Sequence, residues 1–193
     1  MLSGMDKTQF DIAVPWIFYA EGGLADEIND HGGATKYGIS LRYLRHVGDR
    51  DDDGYADGDL DHDGDVDGDD ILIMTREEAL AFYRQDFWEA ARCGDMPPTV
   101  ALTLFDARVN HRPLTAARLV QEALGVATDG RIGPVTIQAA HNANPQRYLK
   151  NHLGYRARLY SDLVAANSSQ ARFLRGWFNR LFALQAYILL EVS

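Results

Sequence analysis

Residues 59–70, DLDHDGDVDGDD, place an aspartate at every second position and a glycine at the sixth. A loop that wraps a hard cation needs oxygen ligands at positions 1, 3, 5, 7, 9 and 12, with glycine at 6 for the sharp turn. The segment therefore predicts a folded, EF-hand-like metal loop, because an unspecific acidic run would lack this spacing. The expected ligands, with Asp65 offering its backbone carbonyl, are Asp59, Asp61, Asp63, Asp65, Asp67 and Asp70.

An earlier copy of the pattern, DRDDDGYADGDL, begins at Asp49, ends at Leu60 and overlaps the loop that follows it. The expected ion is calcium, bound for a structural purpose, because the second loop offers more oxygens than six-coordinate magnesium accepts. That loop ends in Asp where EF-hands have Glu, and in this it resembles dockerin loops. Two alternatives stay open: one ion or two, and a solvated acidic loop without specific binding. The candidate ligands of the earlier copy are Asp49, Asp51, Asp53, Tyr55 and Asp57.

The net charge of −9 is concentrated in one place. Residues 49–70 hold 12 aspartates and one arginine, and the rest of the chain has 18 basic against 16 acidic residues. A nearly neutral body argues against nucleic acid as a partner. The N-terminus does not resemble a secretory signal peptide, and no apolar run is long enough to predict a membrane span.

A helix is predicted to lead into Glu21. Apolar residues recur at helical spacing from Phe10 to Phe18, and Gly22–Gly23 would end the helix. Pro15 should kink this helix or mark a late start. Glu21 would then stand at a helix C-terminus facing a loop, beside apolar neighbours able to raise its pKa.

Further helices make the expected fold mainly α. Short extended structure is predicted at KYGIS, residues 36–40. One helix is predicted to start at Thr75, which forms a capping box with Glu78. Another is predicted to start after Pro97–Pro98, with Thr99 as its cap. The helix from Thr75 should run to about Arg92, and another should end at Gly125. The remaining predicted helices cover residues 41–47, the stretch after Gly133 that opens with Pro134, and residues 145–166 and 169–190.

Glu21, Asp30 and Thr35 form the candidate catalytic set. Glycoside hydrolysis needs a carboxylic acid that protonates the leaving oxygen and a second group that stabilises charge or positions water. The order Glu, Asp, Thr over about 15 residues is similar to phage-type lysozymes, in which the Glu is the acid and the Asp and Thr manage water. Asp30 has an alternative role as the cap of the glycine turn.

Six segments along the chain form an ordered set: EGG, NDHGGATKYGIS, FYRQDFW, FDARVN, DGRIGPVT and GWFNRL. Together they resemble glycoside hydrolase family 108, the muramidases of phage endolysins and bacterial secretion systems. The resemblance covers nearly the whole chain apart from residues 49–70, which have the character of an insertion.

This resemblance implies a lysozyme-like α (α+β) fold that carries the EF-hand-like inserted loop. It also implies a catalytic region, residues 1–110, and a helical peptidoglycan-binding-like region, residues 111–193. The expected substrate is bacterial peptidoglycan, cut at the β-1,4 bond between N-acetylmuramic acid and N-acetylglucosamine. By the same resemblance Glu21 is the catalytic acid, assisted by Asp30 and Thr35.

The remaining candidates have two roles open to them. Asp106 and Asn110 lie four apart on one helix face, where they would line the sugar cleft or hold the Glu21 loop by hydrogen bonds. Tyr37, Tyr83 and Trp88 would stack on sugar rings or pack in the core. Tyr37, Asp106 and Asn110 are the candidate substrate-binding residues.

Two other functions compete with a muramidase: a wall-binding module without activity, and a chitinase-like hydrolase. A zinc hydrolase is disfavoured because no two of the six histidines stand four apart and Cys93 is the only cysteine. Whether the reaction inverts or retains configuration stays open. We expect a monomer, made in the bacterial cytoplasm, that reaches the periplasm or wall through a holin or a dedicated export route. Phage lysis and export-linked wall remodelling are both compatible with the sequence.

Overall fold

The structure, a computed structural model, describes residues 8–20 and 35–192. Within these ranges it contains nine α-helices and one two-stranded hairpin, so the predicted mainly α fold is confirmed. None of the described helices is both long and apolar enough to cross a membrane. The elements are α1 (Gln9–Ala20), β1 (Thr35–Lys36), β2 (Ile39–Ser40), α2 (Leu41–Leu44), α3 (Gly68–Ile73), α4 (Arg76–Phe82), α5 (Pro98–Asn110), α6 (Pro113–Leu124), α7 (Pro134–Asn142), α8 (Pro145–Ala166) and α9 (Ala171–Glu191).

The described residues divide into two compact units. The helical unit comprises residues 8–16 and 84–192, and the loop unit comprises residues 17–20 and 35–83. These compact units do not test the predicted division into a catalytic region, residues 1–110, and a peptidoglycan-binding-like region, residues 111–193. That division stays a prediction.

In the helical unit, α5 is the central element. Every residue from Thr99 to Ala107 is buried, because α6, α8 and α9 all pack against this helix. Phe10 and Trp88 add an aromatic cluster around Phe105, with ring centroids 5.3 to 5.9 Å apart. A helix buried on all sides explains why the α5 sequence shows little amphipathic pattern.

In the loop unit, a small apolar core holds the acidic segment at both ends. Leu44 and Val47 come just before the aspartates, and Ile71 and Met74 come just after them. All four side chains are at most 5% exposed. Burial on both flanks fixes where the segment leaves and re-enters the core.

Most predicted helix boundaries are confirmed. Thr75 and Glu78 form the capping box of α4, and Gly125 ends α6 in the left-handed region with φ 72°. Pro134 opens α7, and the two long C-terminal helices lie where they were expected.

Two boundary predictions were wrong, and one alternative is excluded. Thr99 does not cap α5: the helix already starts at Pro98, and Thr99 is buried in its first turn. Of the two alternatives for Pro15, a late start of α1 is excluded, since the helix begins at Gln9 and contains Pro15 in its interior. The helix from Thr75 does not continue regularly to Arg92 but changes after α4 into a π-helical turn, Tyr83–Glu89. There the Asp86 carbonyl accepts a hydrogen bond from Arg108 at 2.8 Å, which supports the widened turn.

Candidate functional site

The candidate catalytic residues are only partly within the described structure. Glu21 and Asp30 lie outside the described residues. Helix α1 ends at Ala20, one position before Glu21 in the sequence, and Thr35 is the first residue of β1. The surroundings that the structure does describe are therefore the helix that leads to Glu21 and the hairpin that carries Thr35.

The hairpin is closed by a two-residue turn of unusual composition. Thr35 pairs with Ser40 across the two strands, and Tyr37 and Gly38 form the turn with φ of 51° and 81°. Positive φ at both positions belongs to the type I′ turn that tight hairpins favour. Glycine adopts this conformation freely, but a bulky side chain does so at a cost of about 1 kcal/mol or more.

Several contacts hold Tyr37 in this strained position. The Tyr83 hydroxyl donates a hydrogen bond to the Tyr37 carbonyl at 3.1 Å. The ring of Phe18, from the last turn of α1, meets the Tyr37 ring edge-on at 6.3 Å. Tyr37 itself stays half-buried, whereas Tyr83 is 2% exposed. Of the roles open for these aromatic residues, Tyr83 therefore has the core role, and so does Trp88 of the helical unit at 5% exposure.

Asp106 lies at the centre of a buried ionic cluster in the helical unit. Its carboxylate is fully buried and accepts a hydrogen bond from the Trp16 indole at 2.8 Å. Arg180 approaches the same oxygen at 2.8 Å, and Arg156 donates to the other oxygen. Burial by itself raises the pKa of Asp106, but the two guanidinium groups outweigh it and hold the pKa at about 2.

This geometry supports the bracing role for Asp106. A carboxylate with no exposed surface and both oxygens bonded offers nothing to a sugar, whereas it joins α5 to α1, α8 and α9. Asn110 is exposed and donates through Nδ2 to the Asp106 carbonyl one turn earlier, at 2.7 Å. Any contact of this pair with the Glu21 loop lies outside the described residues.

Two histidines near the cluster are held in the neutral form. Burial, and then the positive charge of Arg156, lowers the pKa of His152 to about 3. The same two causes lower the pKa of His111 to about 4. Neither histidine, nor Arg156 or Arg180, was a candidate from sequence, because a buried arginine or histidine on a helix carries no local pattern that sets it apart from an exposed one.

In the acidic segment, the structure brings Asp59, Asp61 and Asp63 together. One carboxylate oxygen from each lies within 4.8 Å of the other two. Gly64 makes the expected sharp turn with φ 102°, and its N–H donates to Asp59 at 3.0 Å. These are positions 1, 3, 5 and 6 of the predicted loop.

Asp70, at position 12, closes the loop through backbone hydrogen bonds. It is 2% exposed, and its two oxygens accept from the backbone N–H groups of Leu60 at 2.6 Å and Asp67 at 2.7 Å. Asp67 in turn caps α3 by accepting from the Asp69 N–H. Asp70 thus ties the two ends of the loop together, and the structure does not place its carboxylate in the group formed by Asp59, Asp61 and Asp63.

The earlier copy follows the same backbone path ten residues upstream. Asp49, Asp51 and Asp57 present carboxylate oxygens within 4.8 Å of one another, and the Gly54 N–H donates to Asp49 at 3.0 Å. The fourth positions of the two loops, Asp52 and His62, share the left-handed region with φ of 60° and 59°. The overlap at residue 59 therefore does not prevent the first copy from folding as a loop.

The loops gather like charge at close range. Desolvation and the neighbouring carboxylates raise the pKa of Asp61, and repulsion from Asp63 is the main cause that raises the pKa of Asp65. Carboxylate and backbone oxygens are the ligands of a hard divalent cation, and such an ion would remove this repulsion. The donor set therefore fits calcium. The carboxylates of the predicted ligands Asp53, Asp67 and Asp70 lie outside the two groups. The predicted ligation through Asp65, by its backbone carbonyl, and through Tyr55 stays a prediction.

Comparison with known proteins places these features in a family context. Residues 14–111 match the family model described as glycosyl hydrolase 108, and residues 115–182 match a model described as a predicted peptidoglycan domain. Among solved structures, the chain is similar to that of Brucella abortus SagA, with 24% identity, a TM-score of 0.71 and 95% of each chain covered. No protein in the curated set matches the sequence significantly. The structural match supports the fold alone, at this level of identity.

Proposed function

The chain belongs to the glycosyl hydrolase 108 family and is a glycoside hydrolase, and we propose that it is an N-acetylmuramidase. Its substrate would be bacterial peptidoglycan, cleaved at the β-1,4 bond between N-acetylmuramic acid and N-acetylglucosamine. The observation that carries this proposal is the family match over residues 14–111, which include Glu21, Asp30 and Thr35. The predicted peptidoglycan domain over residues 115–182 supports the same substrate.

In the proposed mechanism Glu21 is the general acid. It donates its proton to the glycosidic oxygen as the bond to the leaving sugar breaks, which avoids the release of an alkoxide. Asp30 and Thr35 orient the water that completes hydrolysis at the anomeric carbon; the mechanism does not specify whether configuration is inverted or retained. Tyr37 would contact the sugar, since the strained turn at the tip of the hairpin holds its ring half-buried beside Phe18.

We further propose that the acidic segment binds calcium for a structural purpose. Asp59, Asp61 and Asp63 would provide one site, in the second loop, and Asp49, Asp51 and Asp57 would provide another, in the first loop. Bound calcium would neutralise the aspartates and stiffen the 49–70 insertion between Val47 and Ile71. It would take no part in bond cleavage.

The proposed setting follows the sequence. The enzyme would act as a monomer in the periplasm or cell wall, after passage through a holin or a dedicated export route. It would serve either phage lysis or wall remodelling during export.

The decisive experiment compares Glu21→Gln with Glu27→Gln on purified sacculi. The two substitutions are chemically identical and six residues apart, but only Glu21 has the proposed acid role. The rates of turbidity loss and of reducing-end release should fall by orders of magnitude with Glu21→Gln. Both rates should stay near wild type with Glu27→Gln. Lysis by Glu21→Gln at the wild-type rate contradicts the proposal.

Product identity separates the alternatives. Borohydride reduction of the products should label N-acetylmuramic acid, because cleavage of the proposed bond leaves its anomeric carbon free. Binding of sacculi without any release of reducing ends would indicate a wall-binding module. Equal cleavage of chitin oligomers would indicate the chitinase-like alternative.

A further inference from the structure

A polar pocket lies at one end of the helical unit, outside every candidate residue considered above. The C-terminal ends of α6 and α7 and the first half of α8 surround it, and its volume is about 540 Å³. Pockets of a few hundred to 1,000 Å³ are the usual size for small organic ligands (roughly 300–1,000 Å³). All of its lining residues fall within the match to the predicted peptidoglycan domain.

The pocket is lined by side chains that both donate and accept hydrogen bonds. Three asparagines contribute to its wall: Asn142 at the end of α7, Asn144 just before α8, and Asn151 within α8. The Asn144 Oδ1 is used to cap α8, where it accepts from the Arg147 N–H at 2.9 Å, and this leaves its NH₂ group for a ligand. Asn151 Nδ2 donates to the Ala123 carbonyl at 3.5 Å, which leaves its oxygen as an acceptor.

An aromatic ring is fixed at the rim of the same pocket. Tyr155 is half-buried, and the Arg158 guanidinium lies over its ring, 5.2 Å from the centroid. Arg158 is held there by an ion pair with Glu122 at 2.6 Å. Because this pair neutralises itself, the one lining charge that it leaves is the exposed guanidinium of Arg147.

Amide groups in a concave site beside a fixed aromatic ring match the chemistry of a sugar. A sugar presents hydroxyl and acetamido groups that need both donors and acceptors, and its C–H faces pack on aromatic rings. An apolar ligand would leave the asparagines unpaired at a cost. An acidic ligand would find a single basic side chain in the lining, the exposed Arg147.

We propose that this pocket binds an N-acetylated sugar of the peptidoglycan glycan chain, away from the bond that is cut. The inference rests on the proposed function, because it takes peptidoglycan as the polymer that the enzyme contacts. The pocket would hold the enzyme on its polymeric substrate between cleavage events.

Site-resolved NMR on the full chain tests the proposal. The probe is chitotetraose, which carries N-acetylated sugars without a stem peptide, added to ¹⁵N-labelled Glu21→Gln with calcium present. Resonances of Gly125, Asn142 and Asn151 should shift, and the effect should saturate. The double variant Asn142→Ala/Asn151→Ala should weaken this binding roughly tenfold, as expected for the loss of two hydrogen bonds.

Two controls make the result specific. Asn179→Ala replaces an exposed asparagine of α9 outside the pocket and should leave the binding unchanged. Tyr155→Ala gives an independent test of the site and should weaken binding even if the double variant misfolds, which circular dichroism will show.

The outcomes that overturn the proposal are distinct from failure of the muramidase function. Pocket resonances that do not move with chitotetraose, or that move only with the free stem tetrapeptide, rule out sugar binding there. Shifts confined to residues near Glu21 would contradict sugar binding in the pocket and be consistent with the muramidase function. Conversely, sugar binding in the pocket by a wild-type chain that releases no reducing ends would support the pocket proposal and contradict the muramidase function.

Discussion

The Trp16 indole donates a hydrogen bond to Asp106 at 2.8 Å, and this bond joins α1 to the buried centre of the helical unit. Trp16 is 1% exposed and lies five positions before Glu21. The start of α1, up to Trp16, is therefore anchored in the helical unit by a carboxylate that two arginines also hold.

Asp106→Asn should destabilise the protein by about 3–5 kcal/mol, because it leaves Arg156 and Arg180 buried without a counter-charge. Chemical denaturation gives the change in the free energy of unfolding. Arg92→Met removes the exposed pair with Asp95 and serves as the control, with a loss below about 1 kcal/mol. A loss from Asp106→Asn as small as that of the control would show that the cluster contributes little.

Calcium should raise the melting temperature, and EGTA should reverse the effect. An ion at 100 times its Kd contributes about 2.7 kcal/mol, which corresponds to roughly 5–10 °C for a chain of this size. Asp61→Asn should remove most of the shift if the second loop holds the ion, and Asp51→Asn should remove a separate part if the first loop holds another.

Asp52→Asn is the matched control for the calcium experiment. It changes the same charge in the same segment, and asparagine tolerates the positive φ of this position. Asp52 belongs to neither carboxylate group. A thermal shift that is equal in Asp61→Asn, Asp51→Asn and Asp52→Asn would indicate general screening of charge, and the loop sites would be wrong.

Tyr37→Asn should separate the function of the hairpin from its stability. Asparagine accepts positive φ more readily than tyrosine, so backbone strain falls by up to about 1 kcal/mol while the ring and its contact with Phe18 are lost. We expect unfolding stability within about 1 kcal/mol of wild type and a clear loss of activity on sacculi. Tyr37→Phe, which keeps the ring, is the control. Full activity in Tyr37→Asn would remove Tyr37 from the substrate-binding residues.

Stability should fall with acidification below pH 6.5 because of His152. The folded state lowers the pKa of His152 from 6.5 to about 3, so between these values the unfolded chain binds a proton that the folded chain does not. The contribution is fully present above pH 6.5 and is lost at up to about 1.4 kcal/mol per pH unit as pH falls toward 3. His111, with a pKa of about 4, adds to the same slope.

The measurement is the free energy of unfolding by urea at several pH values between 7 and 4.5. His152→Phe should flatten the slope relative to wild type, since the phenyl ring binds no proton in either state. An unchanged slope in this variant would show that His152 is already protonated in the folded protein.

Much of the local structure was accessible from the sequence. The capping box at Thr75 and Glu78, the glycine that ends α6 and the turn at Gly64 depend on residues only a few positions apart. Such patterns fix backbone dihedrals and local hydrogen bonds, so they predict helices and loops directly. The family motifs placed the candidate acid at Glu21 in the same local way.

The tertiary structure decided which of these residues meet. The partners of Asp106 are Trp16, Arg156 and Arg180, which lie 90, 50 and 74 residues away in the sequence. No local sequence pattern predicts that these three side chains contact Asp106. Asp70, predicted from its position to be a metal ligand, closes the loop instead through local hydrogen bonds from Leu60 and Asp67, and its role toward a metal stays a prediction. An arginine or aspartate has the same chemistry whether buried or exposed, and only the packing of distant helices determines the partner that satisfies its charge.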